Sequence, residues 1–121
     1  MPYDRHAADG IRVLLSDRSD VVERKMMGGI VFMVQGNMCV TASGRGGILI
    51  RVGLDAQARV LKEPNVKPMT MAGRSMAGFV RVMPEGYRTA AGLRKWVKRG
   101  LDYVATLPTK AARRKAARPR R

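Results

Sequence analysis

The sequence predicts an α+β fold, in which an antiparallel meander sheet carries helices packed mainly on one face. Two observations support this prediction. Apolar residues recur at helical spacing near both ends of the chain, and between these regions short β-branched runs alternate with glycine-rich turns. The 121 residues are enough for one domain. We assign it to residues 1–108 and interpret 109–121, which offer nothing to bury, as a disordered basic tail.

Two helices are predicted from their apolar stripes. The first covers residues 4–15, with Asp4 as a candidate cap. Its apolar face comprises Ala7, Ala8, Ile11, Leu14 and Leu15. The second covers residues 89–106, and its apolar face comprises Leu93, Trp96, Val97, Leu101 and Val104, with Trp96 as the core anchor. A shorter helix is expected over residues 54–62, before Pro64.

Extended segments are predicted where β-branched and aromatic residues cluster. They are residues 21–27, 30–34, 38–43, 48–52 and 79–83. Glycines at 28, 29, 36, 44, 46 and 47 supply the turns between the first four segments. Residues 64–78 are expected to form a loop, because two prolines and two glycines interrupt them.

The segment 30–34 is apolar on both of its faces. Ile30, Phe32 and Val34 alternate with Val31 and Met33. A sheet with one solvated face would place polar residues at one of these two sets of positions. The second face is therefore expected to be covered by a helix or by a second copy of the chain. Of the two we favour the second copy, and so predict a homodimer.

Residue types that carry catalysis or bind metals are sparse. His6 and Cys39 are the only strong soft or borderline metal ligands, and no motif spacing links them. Cys39 is expected to be a buried hydrophobe, and His6 a surface residue of the first helix. The nine methionines are expected in core or interface packing rather than as copper ligands. No serine lies in a nucleophile motif, so we predict no enzymatic activity, cofactor, metal site or small-molecule substrate.

The location of the protein is predicted from three features. There is a single cysteine, the first ten residues contain no apolar run, and no stretch approaches the roughly 20 apolar residues of a membrane span. A cytoplasmic protein without membrane association is expected.

The net charge of +15 is unusual and unevenly distributed. The last fifteen residues hold seven basic groups and no acid, which leaves +8 on residues 1–106. Such a field attracts polyanions without regard to sequence. The predicted nucleic-acid contacts are the exposed side of the last helix and the tail: Arg94, Lys95, Lys98, Arg99, Lys110, Arg113, Arg114, Lys115, Arg118, Arg120 and Arg121. Solubility or binding to an acidic partner would also explain such a tail.

Three groups of residues occur in a linked order. The first is Lys25-Met26-Met27-Gly28-Gly29, followed by a strand and Gly36-Asn37-Met38. The second comprises Pro68-Met69, Gly73-Arg74-Ser75-Met76 and Gly78-Phe79-Val80-Arg81-Val82, and the third runs from Leu93 through Trp96-Val97 to Leu107-Pro108. Over about residues 4–108 they resemble the TfoX (Sxy) N-terminal domain family, which commonly has Phe at the position of Met27 and Pro at that of Ser75.

The resemblance implies a fold like that of secretion chaperones, often dimeric, and a link to competence regulation in bacteria. The full-length regulators carry a second, C-terminal domain, and the family supplies no catalytic residues. We interpret the motif residues as structural, with the glycines in turns or close packing and Met26, Met69 and Met76 in the core. They are Lys25, Met26, Gly28, Gly29, Gly36, Met69, Gly73, Arg74, Met76, Gly78 and Trp96.

Two functional hypotheses follow. The first is a non-enzymatic regulatory or interaction domain that binds a protein partner, which the resemblance and the two-sided apolar segment favour. The alternative is an accessory protein that binds DNA or RNA non-specifically through the basic tail and the last helix.

Overall fold

A computed structural model describes residues 3–26, 28–71 and 73–108. The helices are α1 (Arg5–Leu14), α2 (Leu54–Val60) and α3 (Ala90–Val104), with a short 3₁₀ turn at Pro84–Gly86. The strands are β1 (Val21–Met26), β2 (Gly29–Val34), β3 (Asn37–Ala42), β4 (Ile48–Arg51), β5 (Val66–Met71) and β6 (Arg74–Val82). The predicted disordered tail, residues 109–121, lies outside the described residues.

All six strands form one antiparallel sheet in the order β1-β2-β3-β4-β6-β5. The first four are a meander joined by short turns. The chain then passes through α2 and makes the β5–β6 hairpin, which returns β6 to the side of β4. The predicted α+β class with an antiparallel sheet is confirmed, and β1 and β5 are its two edges.

The predicted loop over residues 64–78 is wrong, because most of it forms β5 and the first half of β6. Pro68 lies in an edge strand, where its missing N–H leaves no ladder partner unsatisfied. Gly73 has φ +79° in the hairpin turn, and Gly78 has φ +84° opposite the irregular stretch of β5 between Pro68 and Thr70. Prolines and glycines at an edge and a bulge therefore gave the same sequence pattern as a loop.

The predicted first helix is confirmed, together with its cap. The Asp4 carboxylate accepts a hydrogen bond of 3.0 Å from the Ala7 backbone N–H. Gly10 permits a close approach to α3, because a Cβ at this position would lie 2.6 Å from Leu93 Cδ2. A residue that weakens the helix locally therefore allows two helices to pack.

The core lies between the sheet and the pair α1 and α3. Trp96 is 1 % exposed, and its indole Nε1–H donates to the Gly86 carbonyl at 3.1 Å. The same cluster contains Phe32 from β2 and Ile50 from β4, and α2 contributes Val60. The predicted docking of the α3 stripe on the meander is therefore confirmed, with Leu101 half-buried.

The opposite face of the sheet is partly covered by the chain itself. Val31 is 0 % and Leu49 5 % exposed, although neither belongs to the core on the helix side. The exposed apolar side chains of this face lie on the edge strand instead, where Val22 is 54 % and Met26 42 % exposed. If a second copy contacts this sheet, these two side chains on β1 are exposed apolar groups that it can cover.

Candidate interaction surfaces

A cleft lined by charged side chains lies between α2 and α3. Its volume is about 320 Å³, and its lining includes Val52, Ala56, Arg59, Tyr103 and the ion pair Glu63–Arg99, which is 2.8 Å long. Its lining contains no serine, cysteine or histidine. Among residues 3–26, 28–71 and 73–108, no group of three metal-ligating side chains occurs.

Cys39 lies on the helix side of β3, where the bulge opposite Phe32 and Met33 places it against α3. A Cβ at Gly100 would lie 3.1 Å from the Cys39 sulfur, so the absence of a side chain there makes room for the thiol. Burial raises the pKa of the thiol to about 12, although Arg18 and Arg51 act weakly in the opposite direction. The predicted buried, small hydrophobe is confirmed.

We expect Cys39 to resist alkylation in the native protein, because its thiolate is scarce and its sulfur is covered. Iodoacetamide at pH 8 should leave the mass unchanged over a period in which the same protein in denaturant is fully labelled. Native labelling at the rate of a free thiol peptide would contradict the position of Cys39.

The glycines of the family motif have structural roles. Gly28 and Gly36 adopt φ +77° and +79° in the turns before and after β2. Gly29 packs against the backbone of β3, since a Cβ there would collide with the Ala42 carbonyl oxygen. These positions are explained without a ligand.

The methionines of the motif divide into different environments. Met69 is 3 % exposed but lies outside the core on the helix side, and Met76 is half-buried. The prediction that Met26 fills the core is wrong. It lies on the edge strand, whose outer side has no neighbouring strand to cover it. Lys25 and Arg74 of the motif are exposed as well.

The basic face predicted on the last helix is partly neutralised. Lys98 pairs with Asp102 at 2.9 Å, and Arg99 pairs with Glu63 and lies 4.5 Å from the Trp96 ring centroid. Lys95 is 5.2 Å from the same ring. Arg94 and Lys95 are exposed at the surface, and the predicted role of all four in nucleic-acid binding stays a prediction.

The predicted tail contacts lie outside the described residues, but the point where the tail begins is defined. Asn37, which is 1 % exposed, donates from its side-chain amide to the Pro108 carbonyl at 3.1 Å. Its Oδ1 has no hydrogen-bond partner among the described residues. Pro108, the last described residue, therefore lies beside the turn between β2 and β3.

Among the described residues, no strand pairs with the outer edge of β1. Gln35 donates its N–H to the Asp20 carbonyl at 2.9 Å, next to the register pair Val21–Val34. Because bonded and non-bonded pairs alternate along an antiparallel ladder, Val21, Glu23 and Lys25 direct their N–H and C=O groups outward. The other edge, β5, is interrupted by Pro68 and an irregular register. Of the two edges, β1 is the regular one.

A set of cations that the sequence reasoning did not single out lies on the sheet face away from the helices. Arg24, Arg81 and Lys67 share one cross-strand row, and Arg45 lies in the turn between β3 and β4. Strict alternation within β1 and β6 could have separated these residues from the helix side. Lys67 could not be placed beside them, because its strand, β5, was predicted to be a loop.

Comparison with known proteins yields one match. The family model described as the TfoX N-terminal domain matches residues 13–104. No curated protein and no solved structure matches the chain. Within the described residues, no helix is both long and apolar enough to cross a membrane.

Proposed function

Because the chain belongs to the TfoX N-terminal domain family, we propose that it acts without catalysis, as a regulatory interaction domain whose protein partner is a second copy of itself. The observation that supports this proposal most strongly is the free, regular edge of β1, which carries exposed Val22 and Met26. An unpaired edge of this kind recruits another strand. A role in competence regulation stays a prediction from the family.

One register of the pairing satisfies both charge and hydrophobicity. If two β1 strands meet about a two-fold axis at Arg24, Glu23 lies opposite Lys25 of the second copy, and Val22 opposite Met26. Each favourable pair occurs twice, and both exposed apolar side chains become neighbours. A two-fold axis at Glu23 would instead place two carboxylates opposite each other and Val22 against Arg24. The register centred on Arg24 is therefore the one we propose.

The same register contains one unfavourable contact, since the two Arg24 side chains face each other at the axis. Glu23 would also be shared between Lys25 of the second copy and Arg12 of its own chain, because Arg12 donates to both of its carboxylate oxygens at 2.6 and 2.8 Å. These features predict a dimer of moderate affinity. Substitutions of the neighbouring residues Arg24 and Lys25 should change its dissociation constant in opposite directions.

Two substitutions in β1 should change the dimer dissociation constant in opposite directions. Lys25→Glu replaces two attractive pairs by repulsive ones and should raise the constant about tenfold, whereas Arg24→Thr removes the repulsion and should lower it severalfold. Sedimentation equilibrium measures both. Lys62→Glu, an exposed charge reversal after α2, is the matched control and should have little effect.

The proposal would be overturned if the unsubstituted chain were a monomer at high concentration. It would also fail if Lys25→Glu and Lys62→Glu gave equal dissociation constants. Thermal unfolding of each variant separates a changed interface from a damaged fold, because all three positions are exposed and should leave the melting temperature nearly unchanged.

A further inference from the structure

One row of residues crosses all six strands on the face away from the helices. Its members share a register level, and they are Arg24, Val31, Thr41, Leu49, Arg81 and Lys67. Their neighbours along the strands, such as Phe32, Ile50 and Val80, belong to the core on the helix side. Since successive side chains of a strand point to opposite faces, the row lies on the open face.

Charge is separated between the two sides of the sheet. The five ion pairs within residues 3–26, 28–71 and 73–108 all involve helices, the connection before β1 or the helix-facing Glu23. The nine acids occupy none of the open-face positions of the strands; they are Asp4, Asp9, Asp17, Asp20, Glu23, Asp55, Glu63, Glu85 and Asp102. The open face thus carries cations without carboxylates among its own positions.

Arg81 shows the consequence for a single side chain. Its Nη1 donates to the Ser43 hydroxyl at 2.8 Å and to the Gly46 carbonyl at 2.5 Å, both of which are neutral. Burial lowers the pKa of Arg81, and the nearby charge of Arg45 lowers it further. A guanidinium held by neutral partners, with a second cation in the adjoining turn, is suited to binding an anion.

Two register partners lie at the next level. Arg51 and Phe79 face each other across β4 and β6, and the Arg51 guanidinium lies 5.5 Å from the Phe79 ring centroid and 5.8 Å from that of Tyr103 on α3. Aromatic rings and guanidinium groups are the side chains on which nucleobases stack, and an acidic peptide has no bases.

We propose that the open face of the sheet binds single-stranded nucleic acid, with phosphates on Arg24, Arg45, Arg81 and Lys67 and a base near Arg51 and Phe79. The row spans five strand spacings, about 24 Å, which accommodates about four nucleotides. This site is separate from the last helix, where Lys98 and Arg99 are engaged by carboxylates. Glu85 shares a cleft with Lys67 at one end of the row, but no ion pair joins them among the described residues.

The test compares two double variants of the full chain with the same change in net charge. Arg45→Glu with Lys67→Glu alters the open face, and Lys62→Glu with Arg94→Glu alters exposed positions on the helix side. Fluorescence anisotropy with a labelled 20-nucleotide oligo-dT, measured at several salt concentrations, gives the affinity and its salt dependence. None of the four residues lies in β1, so the proposed dimer edge is left intact.

We expect the open-face variant to bind at least about tenfold more weakly at low salt, with a salt slope smaller by about 1.4, since each lost phosphate contact contributes about 0.7. The helix-side variant should lose no more than about twofold. Equal losses in both variants would mean that net charge alone acts, and would overturn the proposal. It would also be overturned if a duplex of the same length bound more tightly. The same holds if poly-glutamate competed as well as oligo-dT, because the face would then not distinguish nucleic acid from an acidic peptide.

Discussion

Trp96→Ala should destabilise the protein by about 3–5 kcal/mol, which is the usual cost of truncating a buried large aromatic residue. The indole is 1 % exposed and contributes to the contact of α3 with the sheet. Its Nε1–H also holds the Gly86 carbonyl at 3.1 Å, so truncation leaves that carbonyl without its donor. Both losses act at the same place, between the end of β6 and the start of α3.

Urea unfolding monitored by circular dichroism measures this effect as a fall in the midpoint with an unchanged slope. Because small domains have a total stability of only about 5–15 kcal/mol, the alanine variant could unfold altogether. Trp96→Phe keeps the measurement possible, since it removes the hydrogen bond and part of the volume and should cost clearly less than the alanine substitution. Equal stabilities of Trp96→Ala and the unsubstituted protein would contradict the packing of α3.

The elements built from periodic apolar residues were predictable from the sequence. α1, α3 and the β1–β4 meander follow from local patterns, and Asp4 marks the start of the first helix as predicted. β5 was not predictable in the same way, because Pro68 is compatible with a strand only at a sheet edge. Whether a segment lies at an edge is decided by tertiary pairing, which no local pattern contains.

The surfaces were harder to predict than the fold. The excess of basic residues was evident in the sequence, but the carboxylates that neutralise Lys98 and Arg99 come from Asp102 and from the distant Glu63. Conversely, Arg24, Arg81 and Lys67 are far apart in the chain and share a row only through the strand register. Placement of charge thus depends on long-range contacts, whereas net charge depends on composition alone.

The two proposed surfaces are geometrically compatible. Strand pairing about an axis normal to the sheet keeps both sets of helices on one side, so the two open faces become continuous. The two Arg24 side chains then lie at the centre of one extended cationic surface. A bound phosphate between them would offset their repulsion, so oligo-dT should strengthen dimerisation if both proposals hold.

The second large effect is expected at Gly47, and it separates backbone conformation from packing. Gly47 has φ +73°, and a Cβ there would lie 2.5 Å from the Val82 carbonyl oxygen in the neighbouring strand β6. Gly73 has the similar φ of +79° in the β5–β6 turn, but a Cβ there would meet nothing within 4 Å. The two glycines therefore share a conformational requirement and differ in their surroundings.

Gly73→Ala should cost about 1–2 kcal/mol, the penalty for placing a side chain in the left-handed region. Gly47→Ala carries the same penalty and adds a clash with backbone that cannot rotate away, typically a further 1–3 kcal/mol or more. Urea midpoints of both variants measure the difference. If the two substitutions were equally destabilising, the β3–β4 turn would not approach β6 as described, and the position of Arg81 beside Ser43 and Gly46 would be wrong as well.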